Sequence, residues 1–165
     1  MGKYENCYLI PLFYKNINSL ICLLHILSHH PPGIPKNRTG EPNIAIIDDE
    51  KDLLFVYKKA LELQGLKVVT FNDSSVALIE LKEQNKKYCM VIVDIRMPKV
   101  NGYQFINEIK SIDPFIKTIL MSAYDVSDLE VQDNLKNGVI IDGIMHKPFS
   151  LIKLINTVNT LLEIY

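Results

Sequence analysis

Six polar side chains in this 165-residue sequence stand where short apolar runs stop: Asp48, Asp49 and Glu50 after one run, Asp94 after another, Ser122 after a third and Lys147 after a fourth. Brought to one place, three aspartates, a hydroxyl and an ammonium define a narrow range of chemistry. Clustered carboxylates repel, and their pKa values rise unless a cation neutralises them. An oxygen-rich, water-accessible set of carboxylates suits Mg²⁺, which keeps several waters and uses few protein ligands. A carboxylate beside such an ion can attack phosphorus and form an aspartyl phosphate. Lys147 and the Ser122 hydroxyl are of the types that hold phosphoryl oxygens as charge redistributes.

The elements that must assemble these residues are legible from periodicity. Runs at 44–47, 66–71, 88–93, 116–121 and 139–145 are rich in Val and Ile with little polar alternation, the pattern of strands buried on both faces of a parallel sheet. Helix-length segments lie between and after them. Over 50–64, Leu53, Tyr57, Ala60, Leu61 and Gln64 share one side, and Gly65 stands where a C-cap would. Over 74–86, Val76, Ile79 and Glu83 form a stripe with Leu78 and Leu81 beside it, and Asp73 or Ser74 can cap it. Over 102–111 the anchors are Phe105, Ile106 and Ile109, with Pro114 following. The segment 126–136 is weakly apolar, anchored by Leu129 and Leu135, and a last helix after Ser150 aligns Leu151, Leu154, Ile155, Val158 and Leu162.

Five repeats of strand then helix, joined by right-handed crossovers, predict an α/β fold: a doubly wound, five-stranded parallel sheet with helices on both faces. Sites in such sheets lie outside the carboxyl ends of the strands, at the switch point. That rule brings Asp48, Asp49, Asp94, Ser122 and Lys147 to one rim.

Four stretches carry a family resemblance: IAIIDDE, VIVDIRMPKVNG, ILMSAYD and MHKPF. In order and spacing they resemble the receiver domain of response regulators, the CheY-like superfamily, over residues 43–165. The resemblance implies a flavodoxin-like strand order of 2-1-3-4-5. It implies a phosphoacceptor in a two-component His-Asp phosphorelay, phosphorylated on Asp94 with Mg²⁺ by a sensor histidine kinase or a phosphotransfer protein. Asp49 would bind the ion directly and Asp48 mainly through water, with Asp94 and the Arg96 backbone carbonyl completing the set. Ser122 would turn toward the phosphoryl group, Lys147 would contact it, and Pro148 would follow a cis peptide bond. Such a protein catalyses only its own phosphorylation and dephosphorylation, and signals by protein contact or by passing the phosphoryl group onward. Arg96 and Tyr124, each two residues beyond a site residue, would flank the path of attacking water.

The chain also departs from the family. The position three before Lys147, usually aromatic, is Ile144, and the segment 125–137 is unusually polar. These departures keep open an alternative, a degenerate receiver that binds partners without being phosphorylated. An aspartyl phosphatase of the haloacid dehalogenase type would want an Asp two residues after the nucleophile, where Arg96 stands. A nucleotide-binding Rossmann protein would want a glycine-rich turn after the first strand, which is absent.

Composition sets the remaining bounds. Lys and Arg number 18 against 19 Asp and Glu, so there is no basic footprint for nucleic acid. Cys7, Cys22 and Cys89 are odd in number and widely spaced, which fits neither a disulfide framework nor a zinc site and agrees with a cytoplasmic protein. Residues 1–42 read as an N-terminal extension, with a Pro- and Gly-rich linker from 29 on. Residues 8–27 have the length of a membrane span, but Pro11, Lys15, Asn16, Asn18 and Ser19 interrupt them. An extension is the preferred reading, with an amphipathic arm or a membrane anchor as alternatives. His146 reads as an exposed loop residue and Cys89 as a small core residue.

Overall fold

The computed structural model describes residues 43–162 except 85, 86 and 137, and of Asp128 and Leu129 only the backbone. The readings made for residues 1–42 and for the Leu129 side chain lie outside the described residues. Five strands, β1 (Asn43–Ile47), β2 (Lys67–Phe71), β3 (Tyr88–Asp94), β4 (Lys117–Ser122) and β5 (Gly143–His146), alternate with α1 (Lys51–Glu62), α2 (Ser74–Glu83), α3 (Gly102–Ile112), α4 (Asp128–Asn134) and α5 (Leu151–Leu161). All strand pairs are parallel, in the order β2-β1-β3-β4-β5. The predicted fold class and strand order are those observed. Among the described residues no helix is long and apolar enough to cross a membrane.

The two-residue side-chain period of a strand sorts the sheet into two core layers. Ile44 and Ile46, Met90 and Ile92, Ile119 and Met121, and Met145 pack with α1 and α5. Ala45 and Ile47, Val91 and Val93, and Leu120 pack with α2 and α3. Continuing these rows past the strand ends carries Asp48, Asp94 and Lys147 toward the α1/α5 side. Ser122, in register with Leu120, goes toward the other side. The pleat therefore groups three site residues from three strands and separates the fourth.

Helix ends follow local chemistry. Asp73 caps α2 by accepting from the Ser75 and Val76 amides, Asn101 and Gln104 form a reciprocal capping box on α3, and Ser127 and Ser150 cap α4 and α5. After α1 the chain reverses through Gly65 at φ 79°, a left-handed conformation that glycine adopts without penalty.

Three expectations about elements need correction. On α2, Val76 and Ile79 are 56% and 59% exposed, while Ala77 and Leu81 are buried and Leu78 half-buried. The helix is rotated by its N-terminal tethers, because the buried Ser74 hydroxyl donates to the Pro98 carbonyl (3.0 Å) and accepts from the Val100 amide (3.3 Å). On α1, Leu54 rather than Leu53 is fully buried. The fifth strand begins at Gly143, not at Val139, because Asp142 breaks the run. Its carboxylate accepts from Lys117 Nζ (3.0 Å), Lys110 Nζ (3.3 Å) and the Thr118 amide (2.9 Å), and its own amide donates to the Thr118 carbonyl (2.9 Å).

Burial alone would raise the Asp142 carboxyl, but the Thr118 amide and the two lysines hold it below its ordinary value. A depressed carboxyl contributes stability above its unfolded-state pKa and loses it as pH falls through the folded value. Replacing Asp142 with Ala is expected to lower stability at pH 7 by about 2–3 kcal/mol, the worth of charged hydrogen bonds. Urea unfolding at pH 7 and below about pH 4 tests this, and the difference between wild type and variant should shrink in acid. A difference that persists undiminished at low pH would contradict this role of Asp142.

Candidate functional site

The strand order puts the switch point between β1 and β3, and Asp48 and Asp94 stand at the ends of those two strands. Lys147, just past β5, reaches back to both: its Nζ lies 2.7 Å from Asp48 Oδ2, 2.7 Å from Asp94 Oδ1 and 3.7 Å from Glu50 Oε1. The Lys147–Pro148 peptide bond is cis, and Phe149 turns into the core to stack on Tyr57, ring centroids 5.2 Å apart. The second oxygen of each carboxylate is also held. Asp48 Oδ1 accepts from the Glu50 amide (2.9 Å) and Asp94 Oδ2 from the Arg96 amide (2.8 Å).

Burial sharpens the electrostatics. Asp48 is fully buried and Asp94 6% exposed. Burial pushes the Asp48 carboxyl up, against the pull of Lys147 and the Glu50 amide. Burial by itself would pull the Lys147 ammonium down, but its hydrogen bonds to Asp48 and Asp94 outweigh it and hold the group above the ordinary lysine range. One positive charge thus faces three carboxylates, and Asp49 stands exposed beside them.

Asp49 and Arg96 line an open groove of about 630 Å³ with Met97, Pro98, Tyr103 and Tyr124. The Arg96 guanidinium lies 4.3 Å above the Tyr124 ring, within cation–π range. Among the described residues no group of three or more His, Cys, Asp or Glu side chains is placed to hold a metal ion by itself. The buried Asp48 and Asp94 and the exposed Asp49 offer hard oxygen atoms, the donor type that suits a cation that retains water.

Of the residues singled out from sequence, Asp48, Asp94 and Lys147 are in direct contact, Arg96 joins through its amide, and Asp49 lines the groove. Ser122 is buried, and its Oγ donates to the Tyr124 carbonyl (2.6 Å) and accepts from the Tyr124 amide (3.1 Å). Ile144 is half-buried in the core layer shared with α2 and α3. His146 is exposed, its Nδ1 3.3 Å from the Tyr124 carbonyl. Cys89 is half-buried, with its thiol pushed up to about 11 by burial, so it is held as the unreactive thiol.

One feature was read from sequence only as the end of the stretch after Asp94 and the start of a helix, and another escaped it. At Gly102, an added Cβ would lie 2.6 Å from the Asp94 carbonyl oxygen and 2.9 Å from Ile95 Cα, so only glycine lets α3 start against the strand end. Tyr103 and Glu130 meet across α3 and α4 at the groove wall. The first had a signal, a glycine opening an amphipathic helix; the second had none, since neither residue sits at a strand end.

Comparison with known proteins places this geometry. The response regulator receiver domain family matches residues 44–159. The transcriptional regulatory protein PrrA of Mycobacterium tuberculosis is 29% identical over 122 residues, covering 74% of this chain and 50% of PrrA. The C4-dicarboxylate transport transcriptional regulatory protein DctD of Rhizobium meliloti is 31% identical over 122 residues, covering 72% of this chain and 25% of DctD. The chain therefore spans half or less of these curated relatives. A response regulator receiver domain protein from Clostridium thermocellum superposes with a TM-score of 0.64 at 27% identity, covering 74% of this chain and 94% of that one. A family match that runs from the first strand into the last helix takes in every residue of the acid–lysine site, and the chain belongs to the response regulator receiver domain family.

Proposed function

We propose that the protein is a phosphoacceptor of a two-component phosphorelay that takes a phosphoryl group onto Asp94. The observation that carries this reading is Lys147 Nζ held 2.7 Å from both Asp48 and Asp94 at the carboxyl ends of the strands. A carboxylate oxygen of Asp94 forms the new O–P bond. The P–N bond of a phosphohistidine on a sensor kinase or phosphotransfer protein breaks, and its electron pair stays on the imidazole nitrogen. Lys147, fixed by Asp48, stands beside the acceptor to take up the charge of a phosphoryl oxygen. Ser122 has a single hydroxyl proton to offer to a second oxygen.

Mg²⁺ would be held by Asp48, Asp49, Asp94 and the Arg96 carbonyl, and when bound it supplies the positive charge that offsets the phosphoryl oxygens. The excess of carboxylates over Lys147 supports that assignment. The chain catalyses only its own phosphorylation and dephosphorylation. Its signal passes by protein contact or by onward relay. The relatives named as transcriptional regulators are longer than this chain, and an output through DNA would belong to what they hold beyond the matched part.

Intact-protein mass spectrometry after incubation with acetyl phosphate tests the reading. An adduct is expected on the wild type with Mg²⁺ and none without the ion or in Asp94→Ala. No adduct under conditions that label a known receiver would overturn it in favour of a binding module. The Arg96–Tyr124 stack supports a second expectation, that these groups screen the acyl phosphate from water. Replacing both with Ala should shorten the phosphorylated lifetime about tenfold, a barrier change near 1.4 kcal/mol. An unchanged half-life, followed by loss of the adduct with time, would show that they do not screen it.

A further inference from the structure

Tyr57 lies in the second turn of α1, 1% exposed, in the core layer with Leu54, Leu61, Phe149 and Leu154. Among the described residues its Oη is a buried side-chain oxygen without a hydrogen-bond partner. Packing does not account for it. A buried phenol usually finds a partner, and a donor left unbonded in an apolar layer is costly, whereas Phe would fill the same space without that cost. An orphaned polar group in a native core calls for a role outside packing.

The hydroxyl lies toward the acid–lysine site. The Tyr57 ring stacks on Phe149, two residues beyond Lys147, with centroids 5.2 Å and planes 21° apart. The charges that act on the phenol are those of Lys147 foremost, then Asp48, Glu50 and Asp94. Burial pushes the phenol up to about 12, so it is a neutral donor throughout the physiological range. Within the site, Asp48 depends most on its donors. It is fully buried, its Oδ1 accepts from the Glu50 amide (2.9 Å) and its Oδ2 from Lys147 Nζ (2.7 Å). Lys147 Nζ also lies 2.7 Å from Asp94 Oδ1. A phosphoryl group on Asp94 brings further oxygens to that ammonium, and each shift of Nζ toward them weakens its bond to Asp48 Oδ2. Stripping a buried carboxylate of its charged partner is strongly unfavourable.

We infer that Tyr57 is a positioning residue of the acid–lysine site: its hydroxyl donates to Asp48 as Lys147 turns to the phosphoryl oxygens, so that the ammonium leaves one buried carboxylate without stranding it. The inference rests on Asp94 being the phosphoacceptor. It gives the orphaned hydroxyl a partner in the phosphorylated state and none in the resting one, and it assigns α1 a part in the chemistry beyond packing.

Tyr57→Phe, which removes the hydroxyl and keeps the ring that stacks on Phe149, tests it in the full chain by two readings. The first needs no phosphodonor, because Lys147→Met takes the ammonium from Asp48 permanently. In the wild-type background Tyr57→Phe should leave the urea midpoint at pH 7 unchanged or higher, since an unbonded donor has gone. In the Lys147→Met background it should lower the midpoint, with the folded-to-unfolded ratio falling about tenfold, the loss of a hydrogen bond to a charged group. The second reading is the rate of adduct formation with acetyl phosphate and Mg²⁺, followed by intact mass. It should be about tenfold slower in Tyr57→Phe than in wild type, a change that packing alone would not produce. The same stability change in both backgrounds would overturn the link between the hydroxyl and Asp48. A full-rate adduct in Tyr57→Phe would overturn the positioning role, and this comparison stands even where Lys147→Met does not fold. No adduct on wild type would overturn the phosphoacceptor reading itself, while the unphosphorylated comparison still decides whether the hydroxyl serves Asp48.

Discussion

A single ammonium shared by two buried carboxylates organises this molecule. Lys147 comes from the end of β5, Asp48 from the end of β1 and Asp94 from the end of β3, and their oxygens and nitrogen lie 2.7 Å apart. Buried charges of this kind are costly unless paired, and removing one partner leaves the other uncompensated. The sheet order and the parity of the strand residues both serve to bring these groups together. One positive charge meets an excess of negative ones, so the pairing is incomplete.

The two core layers divide the labour around that site. On the α1/α5 side the helices are long and amphipathic, with Tyr57, Leu61, Leu154 and Val158 buried against the sheet. This side anchors Asp48, Asp94 and Lys147. On the other side, α2 and α3 are well packed, and the short α4 adds polar contacts from Glu130 and Asn134 to the packing of Val131. Ser122 faces this side. The pleat of the strands thus places the charge-bearing groups on the α1/α5 side and the hydroxyl on the other.

Much of this could be read before any coordinates. The unbroken apolar runs predicted buried parallel strands, and the residues ending those runs were Asp48, Asp94, Ser122 and Lys147. What escaped depends on tertiary tethers that periodicity does not encode. The rotation of α2 follows from Ser74 bonding to the Pro98 loop, which turns Val76 and Ile79 outward despite their apolar character. The late start of β5 follows from Asp142 being captured by lysines of α3 and β4, an interaction between distant segments. Glu130 accepts from the phenols of Tyr103 and Tyr124, three residues whose spacing matches no motif.

The central claim is that Lys147 and a divalent cation draw on the same carboxylates. Mg²⁺ titration of Lys147→Met, in the absence of any phosphodonor, tests it directly. The account predicts Mg²⁺ affinity about tenfold above wild type, since one competing charge a few ångströms away has gone. Circular dichroism on the same samples would establish that the variant is folded. A folded variant that binds Mg²⁺ no better than wild type, or less well, would contradict the account.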